Sequence, residues 1–215
     1  MAKITAPLLS LGARGTIGKA MTFASWRGVS YVRQTVVPAN PRSVAQILTR
    51  DIFANMGLRW KQGGVLMRAP WDRYAVGQKF VGRNGYMGQN LAAMRGEADM
   101  DLYIGSPGAK GGLPAVSLAL TSVAALGIEA VIVGPTPPTG WTLTSAIATC
   151  FIDQAPEDTV ADTIQEVEDV ADPYSCDFTG LTATTYQVQA WLKWAKPDAS
   201  IAYGASISDT ILVTA

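Results

Sequence analysis

The sequence predicts an α+β N-terminal module, a β-hairpin plus helices, followed by an all-β sandwich. Three observations carry this reading. Charge is divided: residues 1–111 hold 15 Lys and Arg against 5 Asp and Glu, and residues 112–215 hold 2 against 12, so a net charge of zero conceals two opposite halves. Between them, Gly105-Ser-Pro-Gly-Ala-Lys-Gly-Gly-Leu-Pro114 concentrates breakers and small residues, the composition of a hinge or exposed linker. Beyond that run the chain reads as seven short strands in about 100 residues, the count of a sandwich. The expected domains are therefore 1–104, a basic docking module; 105–114, a Gly/Pro linker; and 115–215, an acidic sandwich.

The elements follow in order. Ala20–Trp26 and Val29–Val36 are β-prone runs on either side of Arg27-Gly28, a hairpin whose turn uses the positive φ open to Gly28. Asn40 is a candidate helix cap with Pro41 in the first position. The helix that follows carries Val44, Ile47, Leu48, Ile52 and Met56 at three- and four-residue spacing, widened by Phe53 and Trp60, and ends at Gly57 or Gly63-Gly64. A second helical region starts near Pro70-Trp71 and resumes over residues 84–95, against the local cost of Gly77, Gly82, Gly85 and Gly88. Residues 101–104 read as a short strand. The sandwich strands are expected at 116–120, 128–133, 143–152, 163–170, 174–178, 186–194 and 210–214, with Trp141, Phe151, Tyr186 and Trp191 as core candidates.

Composition narrows the function classes. A chain with 48% hydrophobic and 16% charged residues can bury a core. Residues 1–12 carry one Lys and an apolar stretch interrupted by Pro7 and Ser10, so a secretory signal is not expected. Residues 113–134 reach the length of a membrane span, but their alternation is that of two half-buried strands. Cys150 and Cys176 read as buried thiols, a disulfide being the alternative. Histidine is absent, which removes the commonest general base and zinc ligand and excludes serine and cysteine proteases of the usual kind.

Other motifs fail on their own chemistry. In Gly12-Ala-Arg-Gly-Thr-Ile-Gly-Lys19 the first Gly of a phosphate loop is replaced by Ala13, and Ala20 stands where a magnesium-holding Ser or Thr belongs. The acidic residues Asp153, Glu157, Asp158, Asp162, Glu166, Glu168, Asp169 and Asp172 lack the alternating ligand pattern of a calcium loop and read as a solvated face. Glu97, Asp99 and Asp101 supply carboxylates without an inferable cleft. No catalytic, cofactor or metal residues are assigned, and an enzyme is not expected.

Two resemblances add to this. Phe178-Thr-Gly-Leu181 followed by Tyr186-Gln-Val-Gln-Ala190 is similar to the passage into a Tyr-led strand in fibronectin type III and immunoglobulin-like modules, although the gap is short, Ala183 replaces a Pro and no Trp sits on the second strand. The resemblance implies an immunoglobulin-like sandwich. Residues 1–104 resemble the small uncharacterised virion proteins of tailed bacteriophages, through Gly15-Thr-Ile-Gly-Lys19, Trp26-Arg-Gly-Val-Ser-Tyr-Val-Arg33, Val37-Pro-Ala-Asn-Pro-Arg42 with Gln46 and Arg50, and Asn84-Gly-Tyr-Met-Gly-Gln-Asn90. This implies a structural part of a virion, located in the particle and, during assembly, in the host cytoplasm.

Arginine and tryptophan are frequent anchors in protein contacts, and the docking candidates are Trp26, Arg27, Arg33, Arg42, Arg50 and Trp60. The expected partners are other virion proteins of capsid, neck or tail, in many copies per particle. Two alternatives are weighed: a host-surface glycan for the sandwich, and nucleic acid for the basic half, disfavoured because its cations are scattered and no nucleic-acid fold signature is present.

Overall fold

The computed structural model describes residues 2–3 in backbone only, and 14–26, 28–36, 40, 42–95, 102–124, 126–156, 158 and 164–214. The chain divides into two compact units, residues 1–42 and 43–215.

The first unit is a four-stranded antiparallel sheet. Its strands are β1 (Ala2–Lys3), β2 (Gly15–Ile17), β3 (Met21–Trp26) and β4 (Val29–Gln34), in the order β1-β4-β3-β2. The predicted hairpin is present, with Trp26 opposite Val29 and Gly28 at φ +79°, a conformation glycine adopts without Cβ strain. The phosphate-loop-like run lies partly in β2 and its turn into β3, with no helix following. Phe23 is the one large apolar side chain buried among the described residues of this unit.

The second unit begins with three helices: α1 (Val44–Gln62), α2 (Val65–Ala75) and α3 (Gly82–Ala93). The N-cap of α1 is Ser43 rather than Asn40, and Pro41 lies outside the described residues. Gly63 ends α1 as expected. By contrast, α2 starts five residues before Pro70, which sits inside it. Ile52 and Met56 of α1, Met67 and Trp71 of α2, and Tyr86 and Met87 of α3 form one cluster, joined by Tyr103 and by Phe151 from the sandwich.

Two sheets complete this unit. One has three strands, β6 (Ser117–Val123), β7 (Gly127–Val133) and β10 (Tyr174–Phe178), in the order β10-β7-β6. The other runs β5-β12-β11-β8-β9, from β5 (Pro107–Ala109), β12 (Ile201–Ala205), β11 (Thr185–Ala195), β8 (Thr142–Ile152) and β9 (Gln165–Asp169), with β13 (Ile207–Leu212) also paired to β11. Ile128, Ala130 and Ile132 meet Cys176, Phe178, Ala148, Val188, Leu192 and Trp194 between the sheets. Tyr186 opens β11 with its hydroxyl accepting the Thr182 N–H at 3.0 Å, the tyrosine corner of sandwich folds. The fold class is thus as read: an α+β N-terminal part followed by an immunoglobulin-like β-sandwich.

The domain boundaries need correction. Residues 105–114 are not a linker: β5 pairs with β12 through Ala109↔Tyr203 and Pro107↔Ala205, and the Gly105 carbonyl accepts the Trp71 indole N–H at 2.9 Å. The glycines there serve close backbone approach, since a Cβ on Gly112 would lie 2.3 Å from the Tyr203 carbonyl carbon. The helices pack on the sandwich, and the structural division falls at 42/43. Residues 102–104 form no strand, and β12 was absent from the sequence reading. Of the four core candidates, Tyr186 lies between the sheets, Phe151 and Trp191 are buried beneath the helical layer, and Trp141 is half-buried.

Candidate docking surface

Period-two alternation fixes which side chains share a face of the first sheet. Thr22, Ala24 and Trp26 of β3 stand opposite Arg33, Tyr31 and Val29 of β4, with Thr16 of β2 beside Thr22. A hydroxyl row, Thr16 to Thr22 at 3.1 Å and Thr22 to Thr35 at 3.0 Å, stiffens this face. At its end Trp26 is 66% exposed, and Arg33 is exposed. Arg14 donates to Ser25 at 2.9 Å.

The structure therefore brings Trp26 and Arg33 to one face. Arg27 lies outside the described residues. Arg42 is exposed at φ +48°, and Arg50 is exposed on α1 in the other unit. Trp60 is instead half-buried against the helical core: its ring lies 5.1 Å from that of Tyr86, and the Arg68 guanidinium stands 5.8 Å over it. Its place in the amphipathic stripe, which widened that stripe, was the better guide.

Along the structural boundary the split is +6 against −6, and it leaves the first unit with no acid at all. Residues 1–42 contain Lys3, Arg14, Lys19, Arg27, Arg33 and Arg42 and no carboxylate, the first acid of the chain being Asp51. In the second unit many cations are committed to backbone carbonyls: Arg68 donates to Trp60 and Lys61, Arg73 to Ile201, and Lys110 to Val76. Arg59, fully buried, lies 4.5 Å over the Phe151 ring. Among the described residues the ion pair is Lys193 with Glu168 at 3.0 Å, and both partners belong to the sandwich.

A carboxylate holds the helical layer to the sandwich. Glu166 of β9 accepts the backbone N–H groups of Gly64, Leu66 and Met67 at the start of α2, where exposed amides and the helix dipole favour negative charge. Gly64 permits this, because a Cβ there would meet Glu166 Oε2 at 2.4 Å. Asn90 adds a second clamp, donating to the Ile104 carbonyl and accepting its N–H.

An open groove of about 670 Å³ between α2 and β12 is lined by Val65, Arg68, Asp72, Arg73, Ile201 and Tyr203, but both arginines are occupied as described. Among the described residues no group of three or more Cys, Asp or Glu is placed to hold a metal ion, and no helix is long and apolar enough to cross a membrane. Cys150 and Cys176 are both buried, and no disulfide joins them. Glu97, Asp99 and Asp101 lie outside the described residues.

No family profile matches this chain, and no curated protein matches it. Among solved structures it is similar to a computationally redesigned β-sandwich protein, at 14% identity over 47% of this chain and 90% of that one, with a TM-score of 0.35. It is also similar to the fn3 domain of the human collagen alpha-1(XX) chain, at 19% identity over 51% and 91%, with a TM-score of 0.36.

Proposed function

We propose that this protein is a non-enzymatic structural component of a bacteriophage virion, docked on head, neck or tail through its basic N-terminal half, above all residues 1–42, and displaying the immunoglobulin-like sandwich outward. The observation that carries the reading is the character of the first unit. Its sheet buries one large apolar side chain among the described residues and exposes Trp26, Ile17 and Met21, and the sequence of residues 1–42 has six cations and no carboxylate. A sheet of this size stabilises itself weakly, and strands with so little buried face hold their shape best against another surface. An acidic protein lattice offers that surface, with arginine forks and an aromatic anchor suited to it. Many copies, each making a modest contact, sum to stable attachment.

The test is occupancy in purified particles. Replacing Arg33, Arg42 and Arg50 together by Glu is expected to abolish incorporation while circular dichroism and thermal midpoint stay those of the unaltered chain. Normal occupancy of the folded triple variant would refute the proposal.

A further inference from the structure

We propose that copies of this chain associate head to tail, the face of residues 14–36 that carries Arg33 and Trp26 in one copy seating on the outer face of the three-stranded sheet of the next. This rests on reading the first unit as the anchoring element, and it names one partner of that element: a second copy.

The receiving surface is defined by exclusion and by charge. The outer face of the five-stranded run is covered by the helical layer, with Ile147, Phe151 and Trp191 buried beneath it. The outer face of β6, β7 and β10 lies open. Register places Thr121, Glu129 and Asp177 in one row across it, and Ala119, Val131 and Ser175 in the next. The three strands contain Glu129 and Asp177 and no Lys or Arg.

Glu129 and Asp177 are direct cross-strand partners. Like charges so placed repel, and an incoming cation relieves them. The Ser175 hydroxyl donates to Glu129 at 3.2 Å, and Asp177 is exposed. Neither residue forms an ion pair among the described residues, nor does Arg33. The rest of the face is uncharged, with Ser117, Ala119 and Thr121 exposed beside Val123 and Val133, so no long side chain keeps a second sheet from approaching to the usual face-to-face spacing of about 10 Å.

The offered surface is the complement. Residues 14–36 contain Arg14, Lys19, Arg27 and Arg33 and no acid, and Arg33 shares its face with Tyr31, Val29 and Trp26. The two patches are different surfaces of one chain. Their pairing is therefore heterologous, and it propagates to a ring if the rotation closes or a filament if it does not.

Sedimentation velocity on the full chain tests this. The unaltered protein is expected to form species larger than the monomer at about 0.05 M salt and to dissociate at about 0.5 M, where the screening length falls from roughly 14 to 4 Å. Arg33→Glu and Asp177→Arg are each expected to weaken association at least about tenfold, and the two combined in one chain to restore it to within about threefold, as coupled sites do in a double-mutant cycle. Matching thermal midpoints certify folding, both positions being exposed. An unaltered chain that stays monomeric at every concentration overturns the inference, as does a combined variant that fails to recover. If Arg33→Glu abolishes particle incorporation while Asp177→Arg leaves self-association intact, the anchoring role stands and this inference falls. If Arg33→Glu changes neither, both fall.

Discussion

Replacing Glu166 by Ala should loosen the helical layer from the sandwich in a way that can be measured. The carboxylate accepts three backbone N–H groups at the start of α2 across a sequence separation of 99 to 102 residues, so its loss leaves three partly buried donors without their partner. Capping side chains are worth about 0.5–2 kcal/mol, and a partly buried charge at a helix start adds up to about 2 kcal/mol. The two effects overlap, and a loss of about 2–3 kcal/mol is expected on that basis. In a unit of this length, that corresponds to a fall in thermal midpoint of roughly 5–10 °C. Glu166→Gln keeps an acceptor oxygen but removes the charge, and should lose about 1 kcal/mol. Thermal unfolding by circular dichroism gives the midpoints, and hydrogen exchange reads the Gly64, Leu66 and Met67 amides directly. An alanine variant that melts within about 1 °C of the unaltered chain, with those amides still protected, would refute the reasoning, given the magnitudes above.

Four further outcomes follow from individual side chains. Tyr186→Phe removes the acceptor of the Thr182 N–H and should lower stability by about 1 kcal/mol; an unmoved urea midpoint would count against the corner's role. Gln189 is fully buried, and both its amide atoms lack a hydrogen-bond partner among the described residues, so Gln189→Met should be neutral or stabilising by about 1 kcal/mol, whereas a clear loss would show that the amide is satisfied. Acid should act through Asp169 and Glu168. The Ser175 N–H at 2.7 Å, helped by that of Ala171, holds the Asp169 carboxyl below its ordinary value; burial raises Glu168, but the Ser145 hydroxyl and Lys193 outweigh it and leave it lowered. Both are depressed on folding, so their contribution is present above the unfolded values of about 4 and is lost as pH falls through the folded ones. Asp169→Asn should flatten the stability profile in that acidic window, and an identical profile would reject the assignment. Burial pushes the Cys176 thiol up to about 12, so alkylation at pH near 8 should require unfolding; rapid labelling of the native chain would contradict it.

Local chemistry made much of this fold legible. The β3–β4 hairpin was written in its two β-prone runs and Gly28, and the start of β11 in Leu181 and Tyr186. What could not be read was the role of small residues whose meaning depends on a distant partner. Gly112 and Gly204 look like flexibility in sequence, yet each lets two backbones meet, since a Cβ on Gly204 would lie 2.2 Å from the Leu113 carbonyl. The start of α2 was hidden for a similar reason: its first turn has no acid of its own and borrows Glu166 from a strand about a hundred residues on. At the docking face, composition announced the cations, but averaging to residue 111 mixed arginines committed to carbonyls with those of residues 1–42. The absence of any acid before Asp51 was the signal that set the start of the chain apart. Trp60 and Trp26 are alike in composition, and it is the place of Trp60 in the helical stripe that separates the half-buried ring from the exposed one.

The long strands β8 and β11 are inward-facing on both sides, like a party wall between two houses. Alternate residues serve the sandwich, through Ala146, Ala148, Val188 and Leu192, and the rest serve the helical layer, through Ile147, Phe151 and Trp191. Excising residues 115–215 as a free-standing module would strip one room away and leave two large aromatic rings facing water, an exposed apolar patch of the kind that drives aggregation. Any shuffling of this gene segment that preserves a soluble product must therefore carry the helices along with the strands, and transplantation cuts belong near residue 42.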